Sequence, residues 1–240
     1  MSIGRRTAIA VMAAMLAPSA ATGGDAAERN ILGFSPDGAY FAFEEYGIQD
    51  GSGFPYSNIY VIETATDSWV HGTPIRVLIE GGAPPLMEAR FEAMDGARAV
   101  LQQLLIGEPG AVVASNPFTE TSADPRSVSF RPRPTLPAVA DDHRLRLEEY
   151  PLPADDCPDM GQPFVGFRLT LTKPDGQTRV LVEDEYIPIS RRCPLGYGIS
   201  DVVTFFPDPA ADPVIVVLIN VFSVGFEGPY RRFIAVTAGR

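Results

Sequence analysis

The residues with which this 240-residue chain could do chemistry are few: two histidines, two cysteines, one pair of adjacent glutamates and one Asp-Gly-Ser-Gly loop. His71 and His143 stand in separate segments, with no Cys or carboxylate at the hairpin or helical spacing of a zinc site, so further ligands would have to come from afar. Asp141-Asp142 beside His143 sets acids next to a base. Together with Glu44 they are the dispersed groups a hydrolase would use. No Gly-x-Ser-x-Gly elbow, P-loop or dinucleotide fingerprint accompanies them, and no local nucleophile completes a triad. Glu44-Glu45 suggests the paired carboxylates of a glycosidase, but neighbours on a strand point to opposite faces and cannot form that pair locally. Asp50-Gly51-Ser52-Gly53 has oxygen ligands on a flexible loop, yet lacks the further acids of a calcium loop and reads as a turn. No catalytic residue, metal or cofactor is therefore expected. Cys157 and Cys193 lack a nearby His or a CxxC partner, so the reading is structural. They should form a disulfide closing a loop of about 36 residues, worth about 3 to 4 kcal/mol in the chain-entropy picture.

The residues that suggest binding are aromatic. Phe54, Pro55 and Tyr56 in one loop, and Phe226, Pro229 and Tyr230 in another, would offer apolar contact area if the loops lay together. Burial of both loops in the core is the alternative reading.

These loops must be held by strands. Asn30 to Phe34 and Tyr40 to Tyr46 read as two strands joined by the turn Ser35-Pro36-Asp37-Gly38, where Pro presets one angle and Gly supplies the positive one. A Gly-rich loop from Gln49 to Pro55 leads to a third strand, Asn58 to Glu63, and Trp69 with Ile75 to Ile79 closes a small antiparallel meander. Pro84-Pro85 then opens a stretch rich in Ala, Glu, Met and Leu. Its apolar spacing predicts a helix over 86–106 ended by Gly107 and Pro109, a helical insertion at 84–107. Val128 to Phe130 should be a strand within a connector or at a sheet edge, and His143 to Tyr150 follows. Phe164 to Thr172 turns through Lys173-Pro174-Asp175-Gly176 into Thr178 to Glu183, a hairpin. Of the last strands, Asp201 to Phe206, Val214 to Phe222 and Arg231 to Thr237, the middle one is apolar on both faces and should be central. The fold class is thus mainly β (α+β), with antiparallel sheets in a single domain over 28–240.

Two stretches of this chain look alike. Phe34 to Asp37, a strand, Gly53 to Tyr56 and the strand Ile59 to Ile62 are echoed by Phe205 to Asp208, a strand, Gly225-Phe226 with Pro229-Tyr230, and the strand Phe233 to Val236. The Asp-to-Gly separations are about 16 and about 17 residues, as in short repeats built on supersecondary units. We read them as two related three-stranded units.

The N-terminus carries an address. Arg5-Arg6, the apolar run Thr7 to Ala17 and the small residues of 18–24 form the three parts of a secretory signal peptide, and that pair also permits a twin-arginine reading. The run is about eleven residues, short of the roughly twenty that span a bilayer, so no integral membrane anchor is expected. Ser19 and Ala21 suit a cut after residue 21; Gly24 and Ala26 suit one after residue 26. Removing 1–21 takes away two arginines and no acid, moving the formal charge from −11 to −13. Such acidity repels phosphate backbones, and the pairs Arg131/Arg133 and Arg231/Arg232 are too sparse to reverse it, so nucleic acid is excluded as a partner.

Phe34 to Gly38, Tyr40 to Phe43 and Asn58 to Ile62 resemble one blade of the propeller repeat of the periplasmic translocation protein TolB and its relatives. A closed propeller needs at least about four blades, and the C-terminal echo has Pro209 where the turn glycine would stand. Over its length the chain is more similar to a family of uncharacterised predicted secreted bacterial proteins, through the stretch Gly33 to Ile62. That resemblance implies export and a shared fold, and no activity. The expectation is a periplasmic or secreted, non-catalytic binding module with a protein or glycan partner in the cell envelope, the alternative being a periplasmic hydrolase that uses the dispersed Asp, Glu and His residues.

Overall fold

The computed structural model describes residues 23–238, so the leader expected over 1–21 lies outside the described residues. Apolar and β-branched residues alternate from Glu28 onward, and the chain answers with antiparallel strands. The first sheet comprises β1 (Glu28–Phe34), β2 (Tyr40–Ile48), β3 (Pro55–Glu63), β4 (Ser68–Trp69) and β5 (Ile75–Leu78), in the order β1-β2-β3-β4 with β5 also on β3. β2 and β3 pair residue for residue from Tyr40 opposite Glu63 to Ile48 opposite Pro55, so Pro55 belongs to the strand and not to the preceding loop. A helix, α1 (Leu86–Gln103), and β6 (Ala111–Ser115) follow. The second sheet is a meander of β7 (Ser127–Phe130), β8 (His143–Pro151), β9 (Val165–Thr172) and β10 (Thr178–Glu183), with β7 at its edge, one of the two places open to it from the sequence. A short 3-10 turn, Ile189–Arg191, leads into β11 (Pro194–Phe205), β12 (Val214–Ser223) and β13 (Tyr230–Ala238). These form a third sheet in the order β13-β12-β11-β6.

The third sheet is central. Along β12, Val214, Val216 and Leu218 pack with Phe34, Phe41 and Phe43 of the first sheet, while Ile215, Val217 and Ile219 pack with Leu145, Leu147 and Leu169 of the second. A strand covered on both sides needs no polar face, which is why its sequence is a continuous apolar run. On the far side of the first sheet Ala93 and Ala97 of α1 meet Ile59, with Ile75 and Val77 around them. The molecule is therefore four layers deep: helix, first sheet, central sheet, second sheet.

Three expectations need correction. The helix stops at Gln103 rather than residue 106, because Leu105 itself takes the left-handed conformation (φ 53°). The Ile106 amide donates to the Leu101 carbonyl and the Leu105 amide to that of Gln102, a Schellman closure made by Leu in place of the usual Gly. The strand expected from Asp201 begins at Pro194, and β6 is an added edge partner paired to Asp201–Thr204. The short, weakly patterned sequence of β6 gains its order from that pairing.

The two similar units face each other. Phe34 and Phe205 stack with ring centroids 5.0 Å apart and planes 13° from parallel. At the opposite ends of the strands the Glu227 amide donates to Asp50 Oδ2 at 3.3 Å, so the loops after β2 and after β12 are neighbours.

Candidate functional site

Glu44 and Glu45 show how the layers are joined. Both are about 1 % exposed, and they face different layers, as strand alternation requires. Glu44 receives a two-pronged ion pair from Arg90 of α1, Nε to Oε1 at 2.8 Å and Nη2 to Oε2 at 2.7 Å, with the Ser57 hydroxyl donating at 3.0 Å. Glu45 faces the central sheet, whose Phe233 amide donates to it at 2.7 Å, and Asn58 Nδ2 of the neighbouring strand β3 donates at 3.1 Å. Burial dominates its titration and raises its carboxyl above the usual range, against the opposing pull of the Phe233 amide, Arg232 and Asn58.

Glu45 also lines a cleft of about 290 Å³. It lies where the outer strand β13 meets β3, β4 and β5 on one side and the turn at 189–192 on the other. Four guanidiniums, Arg76, Arg191, Arg192 and Arg232, and four rings, Tyr56, Tyr60, Trp69 and Phe233, share this space. Arg232 is held by the Asp25 carboxylate and lies 4.7 Å from the Tyr56 ring centre. Burial works against its charge, but Tyr56, Asp25 and Glu45 outweigh that and raise its pKa further. The Tyr56 hydroxyl donates to Asp25 Oδ1 at 2.8 Å, and burial pushes the hydroxyls of Tyr56 and Tyr60 well upward, so both remain protonated. Residue 47 faces Tyr56 across the β2–β3 pair, and a Cβ there would come within 2.7 Å of the Tyr56 hydroxyl and push it from its place on Asp25. On the other wall Arg191 pairs with Asp184, while Arg76 lies 5.5 Å from the Trp69 ring centre.

Arg192 is different. Its backbone has φ 58° and ψ −127°, a conformation that favours glycine, and its guanidinium is exposed with no partner among the described residues. The next residue, Cys193, is bonded to Cys157, with a Cα separation of 5.7 Å. The expected disulfide thus anchors the turn that presents Arg192.

The structure distributes the residues expected to bind. Tyr56 is buried at 4 % exposure and lines the cleft, and Tyr230 is half-buried 5.7 Å from Arg232. Phe54 is half-buried, whereas Phe226 is 84 % exposed. The two loops adjoin, and the tyrosines, not the phenylalanines, converge on Arg232. The arginines were hidden in the sequence because they come from three distant segments. The signal available was Arg191-Arg192 directly before Cys193.

The dispersed acids and histidines do not gather. Glu44 points toward α1 in the first sheet, while His143 starts β8 in the second, with its ring 5.7 Å from Phe130. Asp142 pairs instead with Arg131, and exposed His71 lies between β4 and β5. His143 borders another cavity, of about 410 Å³, between the second and central sheets. Its cations are engaged: Arg133 donates to the Pro209 carbonyl, Lys173 faces Asp212 at 3.5 Å, and Arg179 also has a partner. No group of three or more His, Cys, Asp or Glu placed to hold a metal occurs among the described residues. Nor is any of their helices long and apolar enough to cross a membrane.

No curated protein matches the chain. No solved structure matches it either, so the blade resemblance gains no structural neighbour. Residues 42–239, from β2 through β13, match the family described as Predicted secreted protein (DUF2259). That span includes both faces of the cleft and leaves out β1 and the segment around Asp25. By this match over most of its length, the chain belongs to the DUF2259 family of predicted secreted proteins.

Proposed function

We propose that the protein is a periplasmic, non-catalytic binding module whose Arg-rich cleft takes an acidic glycan of the cell envelope. One observation carries the reading: a chain of net charge −11 concentrates four guanidiniums beside four aromatic rings in one cleft. Guanidinium matches carboxylate geometry in a two-pronged fork, so Arg76 and Arg192 at the mouth suit the carboxylate of an acidic sugar. Trp69, 46 % exposed, and half-buried Tyr60 supply flat apolar faces against which a sugar ring can lie. Arg232 and Arg191, already paired to Asp25 and Asp184, act as fixed walls. The clamped, unpartnered Arg192 supports the reading further, because backbone strain concentrates at binding sites.

Titration calorimetry of the exported protein with uronic-acid oligosaccharides and with neutral oligosaccharides of equal length tests this. Binding should be confined to the acidic series, weaken with salt, and fall at least about tenfold in Arg192→Ala and Arg76→Ala, the loss of one charge-assisted contact. Equal binding of neutral sugars, or unchanged affinity in both variants, would sink the glycan reading. If a cell-envelope protein is retained by the wild type and lost in Tyr56→Ala and Tyr230→Ala while sugars fail, a protein partner replaces the glycan.

A further inference from the structure

We infer that the exported chain is cut upstream of Asp25, after Ala21, and that Asp25–Ala27 is a built part of the folded domain. This rests on the export reading and is independent of the ligand proposed for the cleft. The three residues lie along the start of β13. The Arg231 amide donates to the Asp25 carbonyl at 2.9 Å, the Ala27 amide donates to the Arg231 carbonyl at 3.1 Å, and Ala26 forms a parallel bridge to Arg231. They satisfy part of an edge that would otherwise be left unpaired. The side chains are equally committed. The Asp25 carboxylate is 5 % exposed, pairs with Arg232 and accepts the Tyr56 hydroxyl. Ala27 is wholly buried in the cluster between the first and central sheets. Even the approach to this segment is fitted, since a Cβ on Gly24 would come within 2.3 Å of the Pro229 carbonyl oxygen.

The alternative cut, after Ala26, conflicts with this packing in two ways. It would remove the buried carboxylate that Arg232 and Tyr56 share. It would also create an ammonium group on Ala27, inside an apolar cluster and beside Arg231, whose own pKa burial already lowers. Burying a new, unpaired positive charge next to another is strongly unfavourable. A cut after Ala21 leaves both features intact and has small residues, Ser19 and Ala21, where a signal peptidase reads them.

The test is to express the complete precursor in a bacterial host, isolate the exported protein and determine its first residue by N-terminal sequencing and intact mass. A chain beginning at Thr22 is expected. A chain beginning after Asp25, or one recovered at full precursor mass, would overturn the inference. As a second measurement, Ala21→Leu should make the precursor accumulate, whereas Ala26→Leu should leave processing unchanged; the reverse pattern would overturn it equally. Neither readout involves a ligand, so failure of the glycan reading leaves this result separately interpretable.

Discussion

At the scale of single residues, buried carboxylates of opposite character share this fold. Asp201 is 1 % exposed. Burial raises its pKa, but hydrogen bonds from Arg29, Ser200 and Ser115 together win and hold it below the usual carboxylate range. A depressed carboxyl contributes stability above its unfolded pKa and loses it as pH falls through the folded value. Asp201→Asn should therefore destabilise by about 1 to 3 kcal/mol at neutral pH, a gap that closes under acid. Urea midpoints measured across pH 2 to about 7 check this, and a pH-independent gap would contradict it. Glu45 has the opposite sign, because its raised pKa favours the folded state below the unfolded value and costs stability as pH rises through the folded one. Glu45→Gln should thus gain on the wild type as pH rises, with the same midpoints as readout.

At the scale of elements, α1 is attached less by its apolar stripe than by small residues and one ion pair. Ala89, Ala93 and Ala97 bury fully and allow close approach, whereas Phe91 is 68 % exposed. The Arg90 fork onto Glu44 then fixes the helix in register, and its guanidinium lies 3.8 Å from the Tyr46 ring centre. Arg90→Ala leaves Glu44 buried without its countercharge, and should cost about 3 kcal/mol, discounted for the partial exposure of Arg90. Arg90→Lys should recover only part of this, since an ammonium cannot make the fork. Chemical denaturation of the two variants beside the wild type decides it; equal stability of all three would show that the pair does not hold the helix. Ala93→Leu should destabilise by about 1 to 3 kcal/mol through overpacking against Ile59.

At the scale of the whole molecule, the disulfide has two tasks. It closes a loop with a sequence separation of 36 and anchors the turn bearing Arg192 at the cleft. The chain-entropy picture assigns the cross-link about 4 kcal/mol. Cys157→Ala with Cys193→Ala should lower stability by about that amount while leaving the four layers folded, because three apolar clusters remain. Acidic-glycan affinity should fall by more than the loss of folded protein explains. Calorimetry below the variant's melting range separates the two effects, and full affinity in folded variant would assign the disulfide to stability alone.

Local periodicity was enough to read the antiparallel class, the helix, most strands, the separation of Glu44 from Glu45 and the pairing of the two cysteines. Each depends on neighbours in the chain or on a choice with one available partner. The helix ends before the residue its apolar spacing predicts because Leu105 takes the left-handed role that Gly107 offers, a cost borne by closing contacts that the sequence does not display. The stacking order of the sheets, the extension of β11 to Pro194 and the pairing of β6 were set by packing between segments far apart. The same holds for the cleft. Arg76, Arg191, Arg192 and Arg232 have no common spacing, and tertiary structure alone brings these four guanidiniums of an acidic chain into one cleft. The export signal is an expectation of the sequence alone and lies outside the described residues. The cut proposed for it rests on Asp25, whose contacts with Arg232 and Tyr56 only the tertiary structure displays.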